Sequence, residues 1–297
     1  MIWVTWRQHR AQAISMLMLL ALIAIYAVAT GAWMRFAFSA DGLGSCLAHS
    51  GGAGCGATIA AFFKKFAGTP TIPAATLAFL IPGFLGAAVG APVLGTELER
   101  GTWQLAWSQA VPRSRWLAAK LGLIMGALVV FGVAVTLVLS WSRSPLDRVS
   151  NRLQPPPFNF EGIQLPCELL CGFGLALLAG LLLRNSIGAM VAAYFAWEAP
   201  FAAGTLMTGP IHIFTTTTII PCAGSACTTA STNSSPPVTG NLGDLVLGIT
   251  RSGGHLVVTY LPASEFWPLQ FIIGGMYLAI TAAAVGATVW LLRRRTA

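Results

Sequence analysis

The sequence predicts an all-α integral membrane protein with six transmembrane helices. Three observations predict it. The 297 residues are 56% hydrophobic and only 9% charged, where a soluble domain carries about 25% charge, so a water-facing surface cannot be covered. Long apolar runs, each near the roughly 20 residues that cross a bilayer as a helix, fill most of the chain. Tryptophans collect at the ends of those runs, where indoles favour the headgroup region. A barrel would instead show alternation over about ten residues per strand. Unbroken runs therefore choose helices, which satisfy their own backbone in lipid.

The spans are expected at about 13–34, 72–94, 116–141, 166–183, 187–207 and 266–292, within a single transmembrane domain of residues 1–297. Trp3 and Trp6 precede the first, and Trp33 closes it. The first run is longer than the 7–15-residue core of a signal peptide. Small residues at Ala37 and Ser39 permit cleavage, but removal would orphan the remaining five spans. Trp116 and Trp141 bracket the third span, and Trp267 and Trp290 bracket the sixth. Only Arg184-Asn185-Ser186 separates the fourth from the fifth, which predicts a tight helical hairpin. The sixth is long enough to tilt.

An even number of spans puts both termini on one side. With the termini cytoplasmic, ten basic residues, Arg7, Arg10, Arg100, Arg113, Arg115, Lys120, Arg184 and Arg293–Arg295, lie inside in short segments beside the membrane, against seven outside, Arg35, Lys64, Lys65, Arg143, Arg148, Arg152 and Arg251, the last deep in a long loop. Basic residues hold such segments in the cytoplasm. Cys46 and Cys55 then share the first outer loop, and Cys222 and Cys227 share the last. That side is oxidising, so disulfides are expected there. Cys167 and Cys171, one turn apart in the fourth span, read as small buried apolar residues.

The first outer loop, about 35–71, reads as small and glycine-rich, and the second, about 142–165, carries Pro155-Pro156-Pro157. The long outer loop between spans five and six, about 208–265, is Thr- and Ser-rich and without clear structure. Leu245-Val246-Leu247 and Leu256-Val257-Val258 are apolar enough to fold back on the membrane. Arginine far outnumbers lysine, 14 to 3, which with abundant Ala and Gly points to a high-GC bacterial gene and a bacterial plasma membrane location.

The connection after the second span is the most patterned. Glu97, Leu98, Glu99 and Arg100 favour helix, Gly101 interrupts, and Thr102 is suited to capping a new turn. Trp103 and Trp107 share a face at spacing four. Pro112 ends the piece before Arg113, Arg115 and Lys120. On these residues alone it reads either as a short amphipathic helix presented for docking or as an ordinary interfacial loop.

The run Glu97…Gly101-Thr102…Leu105…Pro112-Arg113…Trp116-Leu117…Lys120 resembles the same loop in permeases of type-2 ATP-binding-cassette exporters. It is especially similar to permeases of actinobacterial drug and antibiotic exporters. The opening Trp3-Val4-Thr5-Trp6-Arg7-Gln8-His9-Arg10 is also similar to theirs. The resemblance implies a cytoplasmic coupling helix of Glu97, Glu99, Arg100, Gly101, Thr102 and Trp103 seated in a separate ATPase subunit. It implies a short amphipathic N-terminal helix over residues 1–12. It also implies two permeases, alike or different, with two ATPase copies that bind ATP and Mg. The second and fifth spans would line the path of a hydrophobic or amphipathic cargo: a drug, an antibiotic or a lipid-like molecule. The long last outer loop departs from the family pattern.

No cofactor is expected in this chain itself. A phosphate-binding Walker loop needs Gly-Lys-Ser/Thr, and neither Lys64, Lys65 nor Lys120 follows a glycine. Glu198, beside Trp197 and Pro200 in the fifth span, is either a substrate-path carboxylate or a hydrogen-bonded acid between helices. Phe79, Phe84, Tyr194, Phe195 and Trp197 offer an apolar lining, or else face lipid. Glu168, at the outer edge of the fourth span, reads as solvated. Two other classes stay open: a thiol oxidoreductase using the outer cysteine pairs, and a proton-coupled carrier using Glu198 and Glu168. No metal cluster is expected, and the +8 charge is spread along membrane edges, which argues against nucleic acid.

Overall fold

The computed structural model describes residues 2–50, 55–67, 71–99, 113–154, 157–208, 215–221, 243–252 and 255–295. Helix α1 spans Ile2–Ala40 as one unbroken rod, about 58 Å long at 1.5 Å per residue. No Gly or Pro interrupts it before Gly31. The expected separate N-terminal helix is therefore continuous with the first span.

The first outer connection is not a small loop. It folds into α2 (Leu43–Ser50) and α3 (Gly56–Ala67) after a turn at Gly42, whose φ is +63°. Phe62 and Phe66, four apart on α3, bury themselves against Phe38, Leu43, Leu146 and Val149. The apolar residues of this segment supply a small core of their own.

Helix α4 covers Thr71–Glu99 and α5 covers Arg113–Asp147. A short turn, α6 (Pro157–Phe160), leads into α7 (Gln164–Leu183). Helix α7 ends on Arg184 in a left-handed conformation, with its N–H donating to the Gly180 carbonyl. Asn185 then accepts the Gly188 N–H at 2.8 Å and caps α8 (Ser186–Thr208). The three-residue hairpin is as tight as the sequence predicts.

The long last connection contains a sheet. Strands β1 (Thr216–Pro221), β2 (Leu245–Ser252) and β3 (His255–Leu261) pair antiparallel in the order β1-β3-β2. Thr216 lies opposite Tyr260, and Leu245 opposite Leu261, with an irregularity between Val246 and Gly248. The two apolar runs expected to fold back on the membrane are strands β2 and β3. Burial of Leu256, Val258 and Leu261 in β3 is what their hydrophobicity achieves. The Ala263 N–H donates to Asp244 Oδ1 at 3.0 Å, tying the sheet to the start of α9 (Phe266–Arg295).

Helix α7 is the hub, packed on α4, α8, α9 and α5. Leu169, Phe173, Ala176 and Leu177 are fully buried in it. Its seam with α4 is lined by small residues. Gly83, Gly86 and Gly90 bring α4 so close that a Cβ on Gly86 would lie 2.4 Å from the Leu169 carbonyl oxygen. Small-residue seams of this kind are how helices associate in lipid, where hydrophobic burial between them gains little.

The contacts fix the helix directions. Thr30 and Arg35 near the end of α1 meet Ser142 and Ser144 near the end of α5. The Lys120 ammonium at the start of α5 donates to the Val93 carbonyl near the end of α4, at 3.3 Å. Gly95 of α4 lies against Ser186 at the start of α8. Gln270 near the start of α9 meets Ile163 at the start of α7. The starts of α1, α5 and α8 and the ends of α4, α7 and α9 therefore share one end of the bundle. The disulfide, the 148–163 connection and the sheet share the other.

Among the described residues, four stretches are long and apolar enough to cross a membrane: Arg10–Ala40, Leu117–Asp147, Gln164–Leu183 and Ala263–Arg294. Helix α4 contributes a shorter apolar stretch, Pro82–Thr96. Leu17, Met18, Leu22 and Ile25 of α1, Val130 and Leu137 of α5, and Phe271 and Ile272 of α9 all face outward. An apolar exterior of that extent has hydrocarbon rather than water as its solvent.

Candidate functional site

Three places are candidates for functional chemistry. The first is the end of the bundle where α4 stops. Gly95 sits against the backbone of Ser186, and the Ser186 hydroxyl donates to Glu99 Oε2 at 3.4 Å. Glu99 is exposed. The α4 terminus is thus braced by the α7–α8 hairpin before the chain continues into the patterned connection. Of that connection, Arg100, Gly101, Thr102, Trp103 and the side chain of Glu97 lie outside the described residues.

The second is the α4–α8 face. Trp197 has no exposure, lies against Gly83, and stacks on Phe201 with ring centroids 4.8 Å apart. A Cβ on Gly83 would sit 2.5 Å from that indole, so the glycine makes its slot. Tyr194 stacks on the same indole at 6.4 Å. Phe84 and Phe195 face outward, at 48% and 68% exposure. Glu198 is half-buried in α8. The Phe79 side chain lies outside the described residues. Of the aromatics expected along a path, Trp197 is thus buried, Tyr194 lies half-buried beside it, and Phe84 and Phe195 face outward.

The third place is a polar cluster at the opposite end, which sequence reasoning missed. Glu161 is fully buried between two arginines, with Arg152 Nε donating to Oε2 at 2.5 Å and Arg143 Nε 3.5 Å from Oε1. Arg143 also lies 3.8 Å from Asp147, one turn on. The Arg152 guanidinium sits 4.4 Å over the Phe266 ring, joining α9 to the cluster. Gln270 binds the same connection twice: its amide donates to the Phe158 carbonyl at 2.8 Å, and its Oε1 accepts the Ile163 N–H at 3.1 Å. Gly162, at φ +74°, has Gln270 Oε1 only 2.8 Å from where a Cβ would be. Both its conformation and its space require glycine.

Glu168 belongs with this cluster and is not solvated. Helix α7 begins at Gln164, so Glu168 falls in its second turn, covered by α6. It is 1% exposed, and Asn159 Nδ2 donates to its Oε1 at 3.4 Å. The available signal was the crowding of Asp147, Glu161 and Glu168, a third of the nine acidic residues, within 22 positions of a charge-poor chain.

Cys46 and Cys55 are joined as a disulfide, Cα–Cα 6.0 Å, which ties α2 to the start of α3. Cys222 and Cys227 lie outside the described residues. Cys167 and Cys171 are buried thiols. Among the described residues, no group of His, Cys, Asp and Glu is placed to hold a metal ion.

A family described as ABC-2 membrane transporter related matches residues 17–208, from within α1 to the end of α8 and through the patterned connection. Neither a curated protein nor a solved structure matches the chain. Members of this family are non-catalytic, membrane-embedded transport subunits, which leaves no place for the thiol-oxidoreductase reading. The chain belongs to the ABC-2 membrane transporter related family.

Proposed function

We propose that this chain is the membrane half of an exporter of the bacterial plasma membrane, driven by a separate ATPase. In this reading α1, α4, α5, α7, α8 and α9 are six spans, and both termini are cytoplasmic. Glu97, Glu99, Arg100, Gly101, Thr102 and Trp103 form the element seated in the ATPase. Two permeases and two ATPases assemble, and the ATPases bind ATP and Mg. The cargo is hydrophobic or amphipathic: a drug, an antibiotic or a lipid-like molecule.

The observation that carries the reading is the shared end of the bundle. The end of α4, the α7–α8 hairpin, the start of α1 and the end of α9 gather there. That end also holds Arg10, Arg184, Arg293 and Arg294 in short segments, the pattern of a cytoplasmic face. Gly95 packs directly on the Ser186 backbone, so a push on the segment after α4 reaches α4 and the α7–α8 hairpin together. Phe84 and Phe195 leave an apolar face on α4 and α8, which suits a path shared with a second permease. An ATPase that prefers one arrangement of this end shifts the bundle between inward- and outward-open states by that preference alone.

The test is to change the docking segment without touching the bundle. Glu97→Arg and Gly101→Pro are each expected to leave membrane insertion intact and to uncouple ATP hydrolysis from export.

A further inference from the structure

At the outer end of α7 a crevice with room for about one water-sized group is lined by Asn159, Gln164, Glu168, Phe158, Phe201 and Tyr277, with Thr205 on its α8 side. Gln164 and Glu168 are four apart on α7 and share a face. Both are at least nine-tenths buried. Each is held through one atom only. Asn159 donates to Glu168 Oε1, and Gln164 Nε2 donates to the Gln270 carbonyl at 3.5 Å. The other oxygens, Glu168 Oε2 and Gln164 Oε1, are buried with no hydrogen-bond partner. A buried acceptor left unmade costs about 1–3 kcal/mol, more when charged. Arg143 and Arg152 are committed to Glu161 and Asp147, and among the described residues no basic side chain pairs with Glu168.

Two unmet acceptors, one a carboxylate, beside three aromatic rings make a site for a cation that donates N–H bonds. Ammonium groups are drawn both to carboxylates and to aromatic faces. We propose that this crevice takes the ammonium group of an amphipathic amine, a group about the size of a water, with the apolar tail leaving past Gly204 and Thr205 of α8. The inference rests on the exporter reading and names its cargo class as amine-bearing. Glu168 would meet the ammonium, Gln164 would accept a second N–H, and Phe158, Phe201 and Tyr277 would flank the head.

The test uses the full chain in lipid nanodiscs and radiolabelled dodecylammonium, with empty nanodiscs as background. Dodecanol has the same tail without charge, and dodecyltrimethylammonium has the charge without N–H. Saturable binding of dodecylammonium is expected, at least tenfold tighter than that of either comparison probe. Glu168→Gln is expected to weaken it at least tenfold. Thr205→Phe, which leaves the carboxylate in place and fills the crevice from its α8 side, is expected to do the same, and it serves if Glu168→Gln fails to fold. Wild-type binding in either folded variant overturns the proposal, as does equal binding of dodecanol or dodecyltrimethylammonium. The readout needs neither ATP nor a partner. A chain that binds the amine but exports nothing therefore counts against the exporter reading and not against this crevice.

Discussion

Replacing Gly86 by alanine tests the packing on which every other site depends. Its added Cβ would lie 2.4 Å from the Leu169 oxygen, 2.8 Å from the Phe173 nitrogen and 3.0 Å from the Gly172 carbonyl carbon. All three are backbone atoms of α7, so no rotamer change relieves the clash. The helices must part by about 1 Å to restore ordinary contact, and a gap of that size forfeits a quarter to a half of each dispersion contact across the seam. Overpacking of this kind costs about 3 kcal/mol. The gain in helix propensity from Gly to Ala returns only about 1 kcal/mol. The net loss is about 2 kcal/mol, or a fall of about 5 °C in midpoint at 2–4 °C per kcal/mol. Gly122 and Gly126 of α5 are the controls, because nothing lies within 4 Å of a Cβ at either. Scanning fluorimetry of the purified chain in detergent reads the difference. A Gly86→Ala protein that melts with or above the Gly122→Ala control refutes the close α4–α7 seam.

Two further substitutions probe the polar groups. Glu161→Leu removes the nearer carboxylate from the buried Arg143 guanidinium, leaving Asp147 at 3.8 Å, and is expected to cost about 3 kcal/mol, part of it regained in the Arg143→Met/Glu161→Leu double variant, as thermal melts will show. Partly exposed Arg152 contributes little to that loss. Glu198→Gln is expected to change the rate or range of export with the melting point held, measured over a panel of cargoes; unchanged efflux for all of them makes the carboxylate structural.

The helical framework was legible because bilayer solvation acts on composition directly. The apolar runs lie within helices, and Arg184-Asn185-Ser186 turns as tightly as its length requires. Structure outside the runs was hidden for a physical reason in each case. Thr216–Pro221 has the β-branched residues of a strand, but a Thr-rich stretch reads equally as loop until its partner Leu256–Tyr260 is known. The 35–71 segment was read from its glycines, while Phe62 and Phe66 needed Leu146 and Val149, some 80 residues away, to become a core. The Glu161 cluster shows in the sequence only as acidic residues crowded between 147 and 168; that Arg143 and Arg152 close on Glu161, and that Phe266 of α9 covers Arg152, depends on how the connection after α5 turns. The separate N-terminal helix was an expectation of family likeness, and the residues from Ile2 to Thr30 contain nothing to break the rod.

The most direct test reconstitutes the chain with its ATPase in proteoliposomes and follows ATP hydrolysis and cargo movement together. The wild-type pair should show transport that stops when ATP is withheld. Glu97→Arg and Gly101→Pro should each insert normally, leave the ATPase turning over, and lose transport by at least tenfold. Normal transport in both variants, or transport by the chain with no ATPase present, would contradict the account.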